Sequence, residues 1–183
     1  MRSSGWALKL FVVMAVFTAA IPCRADAPIR EYQVKAAFIY NFTQFIQWPD
    51  GAFASKDCPF VVATLGTDPF GGALDEAMSG KTVANHSISV RHFASLDGLG
   101  PCHLLFVPAS QDSALGDVFA KLNGIAVLTV GESDAFSSAG GGIRFFLEDK
   151  KMRFEIDPDP ITSVGIKVSA KLMKLARVYK KKT

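Results

Sequence analysis

One stretch, residues 31–49 with the sequence EYQVKAAFIYNFTQFIQWP, most constrains how this chain can fold. Its apolar residues recur every three or four positions, which is the period of an α-helix. They are Val34, Phe38, Ile39, Phe42, Phe45 and Ile46. The pattern predicts one amphipathic helix that ends at Pro49, because the residue before a proline, here Trp48, disfavours helical geometry. So much aromatic surface must be covered, and we expect it to be core, with a ligand or partner groove as the alternative.

Residues 1–25 have the pattern of a secretory signal peptide. Arg2 and Lys9 supply the positive start, an apolar run covers 10–20, and small residues follow. We expect cleavage after Ala25, with cleavage after Ala27 and lipidation of Cys23 as alternatives. The remaining residues, 26–183, are predicted to form one secreted domain.

The charge of the chain changes once this segment is removed. The full sequence has 20 Lys and Arg against 17 Asp and Glu, and residues 1–25 hold three of the basic residues and no acidic ones. The mature chain is therefore balanced, with 17 basic and 17 acidic side chains. This balance argues against a nucleic-acid partner, which would need a basic surface.

The rest of the chain alternates between predicted strands and helices. Buried strands are expected at 60–65, 104–107 and 125–130, and a strand of alternating pattern at 88–93. Helices are expected at 69–78, 110–122 and 161–179, and a hairpin at 143–147 and 152–156. Asp68 is predicted to cap the helix that begins at Pro69. Together the elements predict an α/β fold with about six strands, mostly parallel, a C-terminal hairpin, and helices on both faces.

The sequence lacks the common enzyme motifs, such as a Gly-x-Ser-x-Gly elbow, a Walker loop or His-Glu-x-x-His. We therefore predict that the protein is not an enzyme and uses no cofactor. A metal site formed by His86, His92 and His103 is conceivable, but ordinary structural histidines fit their spacing better.

Two glycine-rich segments are candidate binding loops. Residues 66–72, GTDPFGG, follow a strand, and the N–H groups of a helix start there could receive an anion, although a capped turn is the simpler interpretation. Residues 140–142, GGG, could let a ligand approach Arg144, with a flexible connection to the next strand as the alternative.

Cys58 and Cys102 are the two cysteines that remain after cleavage. In an oxidising compartment an even pair suggests a disulfide. Each cysteine lies two positions before the start of a predicted strand, so the bond requires those two strands to be parallel neighbours. The alternative is two free, buried thiols.

Taken in order, several segments of the mature chain resemble the YfiR-like family of periplasmic proteins, also called the DUF4154 family. They are EYQVKAAFIYNF at 31–42 with WP at 48–49, LGTDPFG at 65–71, CHLLFV at 102–107, VLTV at 127–130, RFEID at 153–157 and KLMKLA at 171–176.

The resemblance implies a six-stranded α/β fold, a homodimer, and a role as a repressor. The repressor binds the periplasmic sensor domain of an inner-membrane diguanylate cyclase and lowers cyclic-di-GMP and biofilm formation. An OmpA-like outer-membrane lipoprotein can sequester it. The alternative is a periplasmic protein that binds a small ligand, such as a nucleotide, and has no cyclase partner.

The resemblance also suggests site residues. Tyr40 and Trp48 are candidate partner contacts, and Cys58 and Cys102 match one cysteine pair of the family, whose redox state is linked to stability and activity. The second family pair is absent. The region of a nucleotide pocket offers Lys167 and Ser169 in this chain, and Arg144 is the further candidate for a ligand.

Overall fold

A computed structural model describes residues 26–179, with side chains from residue 30 onward. The described α-helices are Asp26–Thr43 (α1), Ala73–Met78 (α2), Leu115–Leu122 (α3), Asp134–Ser138 (α4), Pro158–Ser163 (α5) and Ala170–Leu175 (α6). The strands are Ile46–Gln47 (β1), Phe60–Leu65 (β2), Thr82–Val83 (β3), His86–Phe93 (β4), Leu104–Val107 (β5), Leu128–Gly131 (β6), Ile143–Glu148 (β7), Lys151–Ile156 (β8), Lys167–Val168 (β9) and Arg177–Val178 (β10). The predicted signal peptide lies outside the described residues. Within 26–179, no helix combines the length and apolar character needed to cross a membrane.

Eight of the strands form one sheet in the order β10-β8-β7-β6-β5-β2-β4-β3. Its central neighbours β4, β2, β5, β6 and β7 are parallel, whereas β7–β8 and β3–β4 are antiparallel. This arrangement confirms the predicted α/β class, the mostly parallel sheet and the C-terminal hairpin. The sheet has more strands than predicted because the two-residue strands β3 and β10 extend its edges.

Helices cover both faces of the sheet, as predicted. Because successive strand residues point to opposite faces, each buried strand contributes to two separate clusters. On one face, Phe60, Val62, Leu104 and Phe106 pack with α1, α2, α5 and α6. On the other, Val61, Ala63, Leu105 and Val107 pack with α3 and α4. The parallel strands are thus buried on both sides, which explains their continuous apolar sequences.

The first helix is shorter at its C-terminal end than predicted. It ends at Thr43, whose hydroxyl donates a 2.7 Å hydrogen bond to the Tyr40 carbonyl. The chain then becomes extended, because Ile46 and Gln47 pair with β9 in an antiparallel ladder. The buried stripe of α1 is also shifted, since Val34 is 42% exposed.

The predicted single helix at 161–179 is wrong. Gly165, with a φ of 80°, turns the chain after α5, and Ser169 caps α6 by accepting a 3.2 Å hydrogen bond from the Leu172 amide. Between them lies β9, which satisfies its backbone groups on β1. Glycine adopts positive φ without steric penalty, and serine favours the cap over the helix interior, so both residues divide the segment.

Candidate functional site

The amino ends of β2, β5 and β6 border a cavity of about 650 Å³, which we call the edge cavity. Its walls come from the loop at 49–59, the residues just before β5, and the turn that precedes β6. The lining residues are Pro49, Gly51, Ala52, Ala54, Cys58, Pro59, Val61, Arg91, Pro101, Cys102, His103, Gly124, Ile125, Ala126 and Val164. The cavity therefore brings together both cysteines, one histidine and one arginine.

His103 holds one wall of the edge cavity in place. Its Nδ1 atom accepts a 2.9 Å hydrogen bond from the Val61 amide, so Nε2 carries the proton and donates to the Ala52 carbonyl at 3.1 Å. Burial lowers the pKa of His103, the bond to Ala52 opposes this shift, and the nearby His86 adds to it. The ring is thus neutral at physiological pH and joins the loop at 49–59 to two strands.

A stack of rings continues this anchor. Phe53 lies parallel to His86 with centroids 4.0 Å apart, and its ring also stacks on His103 at 4.7 Å. His86 Nδ1 lies 2.6 Å from the Cys58 carbonyl and donates to it. His86 on β4 and His103 just before β5 therefore hold two parts of the loop that forms the cavity wall.

The predicted Cys58–Cys102 disulfide is not formed in the structure, where both residues are free thiols. The two strands that it required, β2 and β5, are indeed parallel neighbours. However, Val62 pairs with Leu104, so Cys102 lies opposite Phe60 and Cys58 is offset by two residues. For a straight chain this offset and the strand spacing separate the Cα atoms by about 8 Å, beyond the usual range of roughly 4.4–6.8 Å.

The environments of the two thiols differ. Cys58 is half-buried, and its Sγ lies 3.0 Å from the Ser55 carbonyl. Burial raises the pKa of the Cys102 thiol to about 12. Cys102 is therefore protonated at neutral pH and a poor nucleophile, because the thiolate is the reactive form.

Tyr40 lies in a second depression, of about 520 Å³, between α1 and α2. We call it the α1–α2 groove; its lining residues are Gln33, Ala37, Tyr40, Asn41, Ala73, Glu76, Ala77 and Lys81. The Lys81 ammonium lies 4.1 Å from the Tyr40 ring centroid, in the position of a cation–π contact. Tyr40 is thus half-exposed beside a charged group at the β3 edge of the sheet.

Trp48, the other candidate partner contact, has an internal role. Its ring packs edge-on against Phe60 with centroids 4.7 Å apart, and its Nε1 donates a 3.2 Å hydrogen bond to the His103 carbonyl. Trp48 is half-buried and follows β1, so it does not lie on the first helix as predicted.

The three candidate ligand residues do not share a cavity. Lys167 and Ser169 border a depression of about 190 Å³ with residues 44–47. Arg144 lies elsewhere, on β7, where it pairs with Asp134 and donates a 2.7 Å hydrogen bond to Glu155. Burial raises the pKa of Glu155, but the bonds from Arg144 and Ser137 and the charges of the neighbouring arginines lower it more. Arg144 is therefore engaged in an internal ion pair.

The glycine-rich segment at 66–72 is a capped turn that precedes α2. The Asp68 carboxylate accepts hydrogen bonds from the amides of Phe70 at 3.0 Å and Gly71 at 3.2 Å. The prediction that Asp68 caps a helix starting at Pro69 is wrong, because α2 begins at Ala73 after Gly72. The amides that an anion would need are already satisfied by Asp68.

The segment at 140–142 is tightly packed. A Cβ atom on Gly141 would collide with the Phe136 ring, and one on Gly142 would meet Ile161. The Gly142 amide donates a 3.0 Å hydrogen bond to Thr129. These glycines therefore permit close packing of α4 against the sheet and do not open a path to Arg144.

At the carboxyl end of β6, a buried lysine joins α1 to the segment that follows this strand. Lys35 lies 2.6 Å from both Glu31 and Glu132, and its side chain is 4% exposed. Glu132 also accepts hydrogen bonds from the Tyr32 hydroxyl and the Ala109 amide. Burial, Glu132 and Glu31 raise the pKa of Tyr32, which remains protonated.

The histidines do not form a metal site. His92 contacts Thr64 at 2.8 Å and Asp75 at 3.3 Å, whereas His86 and His103 bond to backbone groups near the edge cavity. In the part of the chain that the structure covers, no three His, Cys, Asp or Glu side chains are grouped to hold a metal ion.

Comparison with known proteins gives one family. The model of the YfiR/HmsC-like family matches residues 32–177, from α1 to β10. This chain belongs to the YfiR/HmsC-like family. Proteins of this family are generally regulatory and not enzymes. No curated protein matches the chain as a sequence relative.

A solved structure supports the fold alone. A Streptococcus pneumonia protein described as an ABC domain in complex with L-Trp is similar with a TM-score of 0.53 and 10% sequence identity. The match covers 81% of this chain and 60% of that protein. At this identity the likeness extends to the α/β architecture and carries nothing about ligands.

Sequence reasoning missed Arg91, Phe53 and the Lys35–Glu132 contact. Arg91 is the residue with a permanent charge in the strand HSISVRHF, and this is the signal that could have drawn attention to it. The other residues gave no signal, because their roles depend on contacts between segments distant in sequence.

Proposed function

We propose that this YfiR/HmsC-like protein represses an inner-membrane diguanylate cyclase by binding its periplasmic sensor domain. The observation that carries the proposal is the family match over residues 32–177, which includes nearly all the described fold. Repression lowers cyclic-di-GMP and with it biofilm formation. The protein acts by binding, without a catalytic step of its own.

The proposal requires the protein to reach the periplasm. The charged start, the apolar run and the small residues of segment 1–25 support export. We propose that the mature protein begins at Asp26. N-terminal sequencing of the periplasmic fraction checks this, and an intact apolar run or an acylated Cys23 would contradict it.

For the partner surface we propose the α1–α2 groove, with Tyr40 as its main contact. Tyrosine with one exposed edge is a frequent anchor in protein interfaces, and Lys81 and Glu76 supply polar contacts around a floor of alanines. Trp48, half-buried near the edge cavity, is proposed as a secondary contact only through its exposed edge.

A pull-down with the cyclase sensor domain tests both the partner and the surface. We expect wild-type protein to capture the domain, and Tyr40→Ala to weaken binding by about tenfold or more, as loss of an anchor residue does. Tyr179→Ala is the matched control, because Tyr179 follows β10 at the other edge of the sheet from Lys81 and β3. Absence of capture by the wild-type protein would contradict the repressor role. If Tyr40→Ala and Tyr179→Ala bound the domain equally well, the groove would be rejected as the partner surface, but the repressor role would not.

In cells, deletion of the gene should raise cyclic-di-GMP and biofilm mass when the cognate cyclase is expressed. Complementation with the wild-type gene should restore both. Unchanged cyclic-di-GMP beside an expressed cyclase would argue against repression.

Two further partners belong to the same proposal. We propose a homodimer and sequestration by an OmpA-like outer-membrane lipoprotein, both on the basis of the family. Sedimentation equilibrium of the mature protein tests the dimer, and a monomer at tens of micromolar protein would exclude it. Co-precipitation with the lipoprotein tests sequestration.

The second candidate function is binding of a small ligand. It is supported by the edge cavity, whose volume of about 650 Å³ lies within the roughly 300–1,000 Å³ of typical ligand sites. The depression beside Lys167 and Ser169, at about 190 Å³, is smaller than that range, so a ligand there would be only partly enclosed. Mass spectrometry of the protein released from its producing cells tests this function, since a bound small molecule should appear at stoichiometric amounts.

A further inference from the structure

We propose that the edge cavity binds an aliphatic carboxylate, with the hydrocarbon chain inside the cavity and the carboxylate on Arg91. The inference deepens the second candidate function, since it names the site and the class of ligand. It does not depend on the cyclase partner.

The size and lining of the cavity determine the body of the ligand. Most lining residues are aliphatic or proline, including Val61, Ile125, Ala126, Val164, Pro59 and Pro101. Ile125, whose side chain contributes to this apolar wall, is 52% exposed. A hydrocarbon chain that filled the cavity would cover Ile125 and remove apolar surface from water.

The charge of the cavity determines the head group. Among the lining residues that the structure describes, Arg91 alone has a permanent charge and none is acidic. Among residues 26–179, no ion pair or hydrogen bond is formed by the Arg91 guanidinium. His103 adds no charge, because its lowered pKa keeps the ring neutral. A guanidinium free to bind a carboxylate through two parallel hydrogen bonds therefore lies beside an apolar cavity.

The cavity is formed before any ligand arrives. His86 and His103 hold the carbonyls of Cys58 and Ala52, and the Phe53 ring stacks on both imidazoles. Because these contacts already hold the loop in place, a ligand that binds here loses little conformational entropy from ordering it. The arrangement of the loop thus favours binding to an existing site.

Titration calorimetry with octanoate, octanol and octylamine tests the proposal on the mature protein. We expect octanoate to bind at one site, octanol to bind about tenfold more weakly, and octylamine to bind least, because Arg91 attracts the anion and repels the amine. Arg91→Gln should reduce octanoate affinity to that of octanol. The matched control is Arg153→Gln, which removes an arginine that is also exposed but lies on β8.

A second readout places the ligand. Because Cys58 lines the cavity and is half-buried, saturating octanoate should slow its alkylation by N-ethylmaleimide several-fold. Ala54→Phe, at an exposed lining position, should fill the cavity and weaken octanoate and octanol alike. Circular dichroism of each variant checks that it is folded.

The inference is overturned if octanoate does not bind with a dissociation constant below about 1 mM, or if Arg91→Gln and Arg153→Gln bind it equally. Binding that leaves Cys58 alkylation unchanged would also reject the site. Capture of the cyclase domain is measured separately, so a failure here leaves the repressor proposal standing. A different co-purified molecule with no octanoate binding would keep the second candidate function and reject this ligand class.

Discussion

The ammonium of Lys35 lies 2.6 Å from a carboxylate oxygen of Glu132, and this contact joins α1 to the segment that follows β6. Ninety-seven positions separate the two residues in sequence. Glu31, one turn earlier on the helix, gives the same ammonium a second carboxylate. A buried lysine of this kind fixes how far α1 can slide along the sheet, because displacement would leave a charge without a partner.

We expect Lys35→Met to destabilise the protein by about 3–5 kcal/mol, the usual cost of leaving one member of a buried pair uncompensated. Chemical denaturation with urea measures the change. The double variant Lys35→Met/Glu132→Gln should recover much of the loss, since it removes both charges. Lys174→Met, at an exposed position, should change stability little. A Lys35 variant as stable as the Lys174 variant would contradict the role of the pair.

Phe42 is the best test of the aromatic packing beneath α1. It is 1% exposed and lies 5.6 Å from Phe145 and 4.9 Å from Phe154 between ring centroids. Phe42→Ala should lower the free energy of unfolding by about 3–5 kcal/mol, because it removes buried surface and leaves a cavity. Leu147→Ala, on a side chain that is 59% exposed, is the control and should shift it by less than about 0.5 kcal/mol. If Phe42→Ala lowered the free energy of unfolding no more than Leu147→Ala does, the packing of Phe42 would not contribute to the stability of the core.

As the pH decreases, the free energy of unfolding should fall in two steps. The pKa of His103 is lowered in the fold, so the unfolded chain takes up a proton first, and stability decreases as the pH falls below about 6.5. The pKa of Glu155 is also lowered, so its contribution is full above about 4.5 and is lost as the pH falls below that value. Thermal unfolding between pH 8 and pH 3 follows both steps.

His103→Asn separates these two effects. The amide oxygen can still accept from the Val61 amide, but the side chain does not titrate. We expect the decrease below about pH 6.5 to become smaller in this variant, while the decrease at lower pH remains. An unchanged profile would show that His103 does not set the upper step.

A disulfide between Cys58 and Cys102 remains a prediction for the oxidised protein. Since the structure holds free thiols on offset positions, formation of the bond requires the loop at 49–59 to move away from His86 and His103. The bond should then form slowly, and the chain-entropy gain for a loop of this length is about 4 kcal/mol before strain is subtracted.

Thiol titration of the denatured protein after exposure to oxidised glutathione measures the outcome. No free thiol should remain in the wild-type chain, whereas Cys58→Ser should retain one. Two free thiols in the oxidised wild type would contradict the prediction. His103→Asn should accelerate bond formation, because the Ala52 carbonyl loses its hydrogen bond.

The sequence by itself determined the layers of this fold. The continuous apolar runs at 60–65 and 104–107 required strands buried on both faces. The helical period in the predicted helix at 31–49 required a partner surface for its apolar face. The order of strands and helices then led to a mostly parallel sheet, because short connections favour crossover helices between parallel neighbours.

Only the tertiary structure decided how the ends of these elements meet. The sequence predicted helices at residues 46–47 and 167–168, but these residues form strands because they pair with each other. No local preference encodes this contact. The edge cavity could not be predicted from the sequence for the same reason. Arg91, Cys58 and His103 come from separate segments, and their common position depends on a strand order and register that periodicity does not reveal.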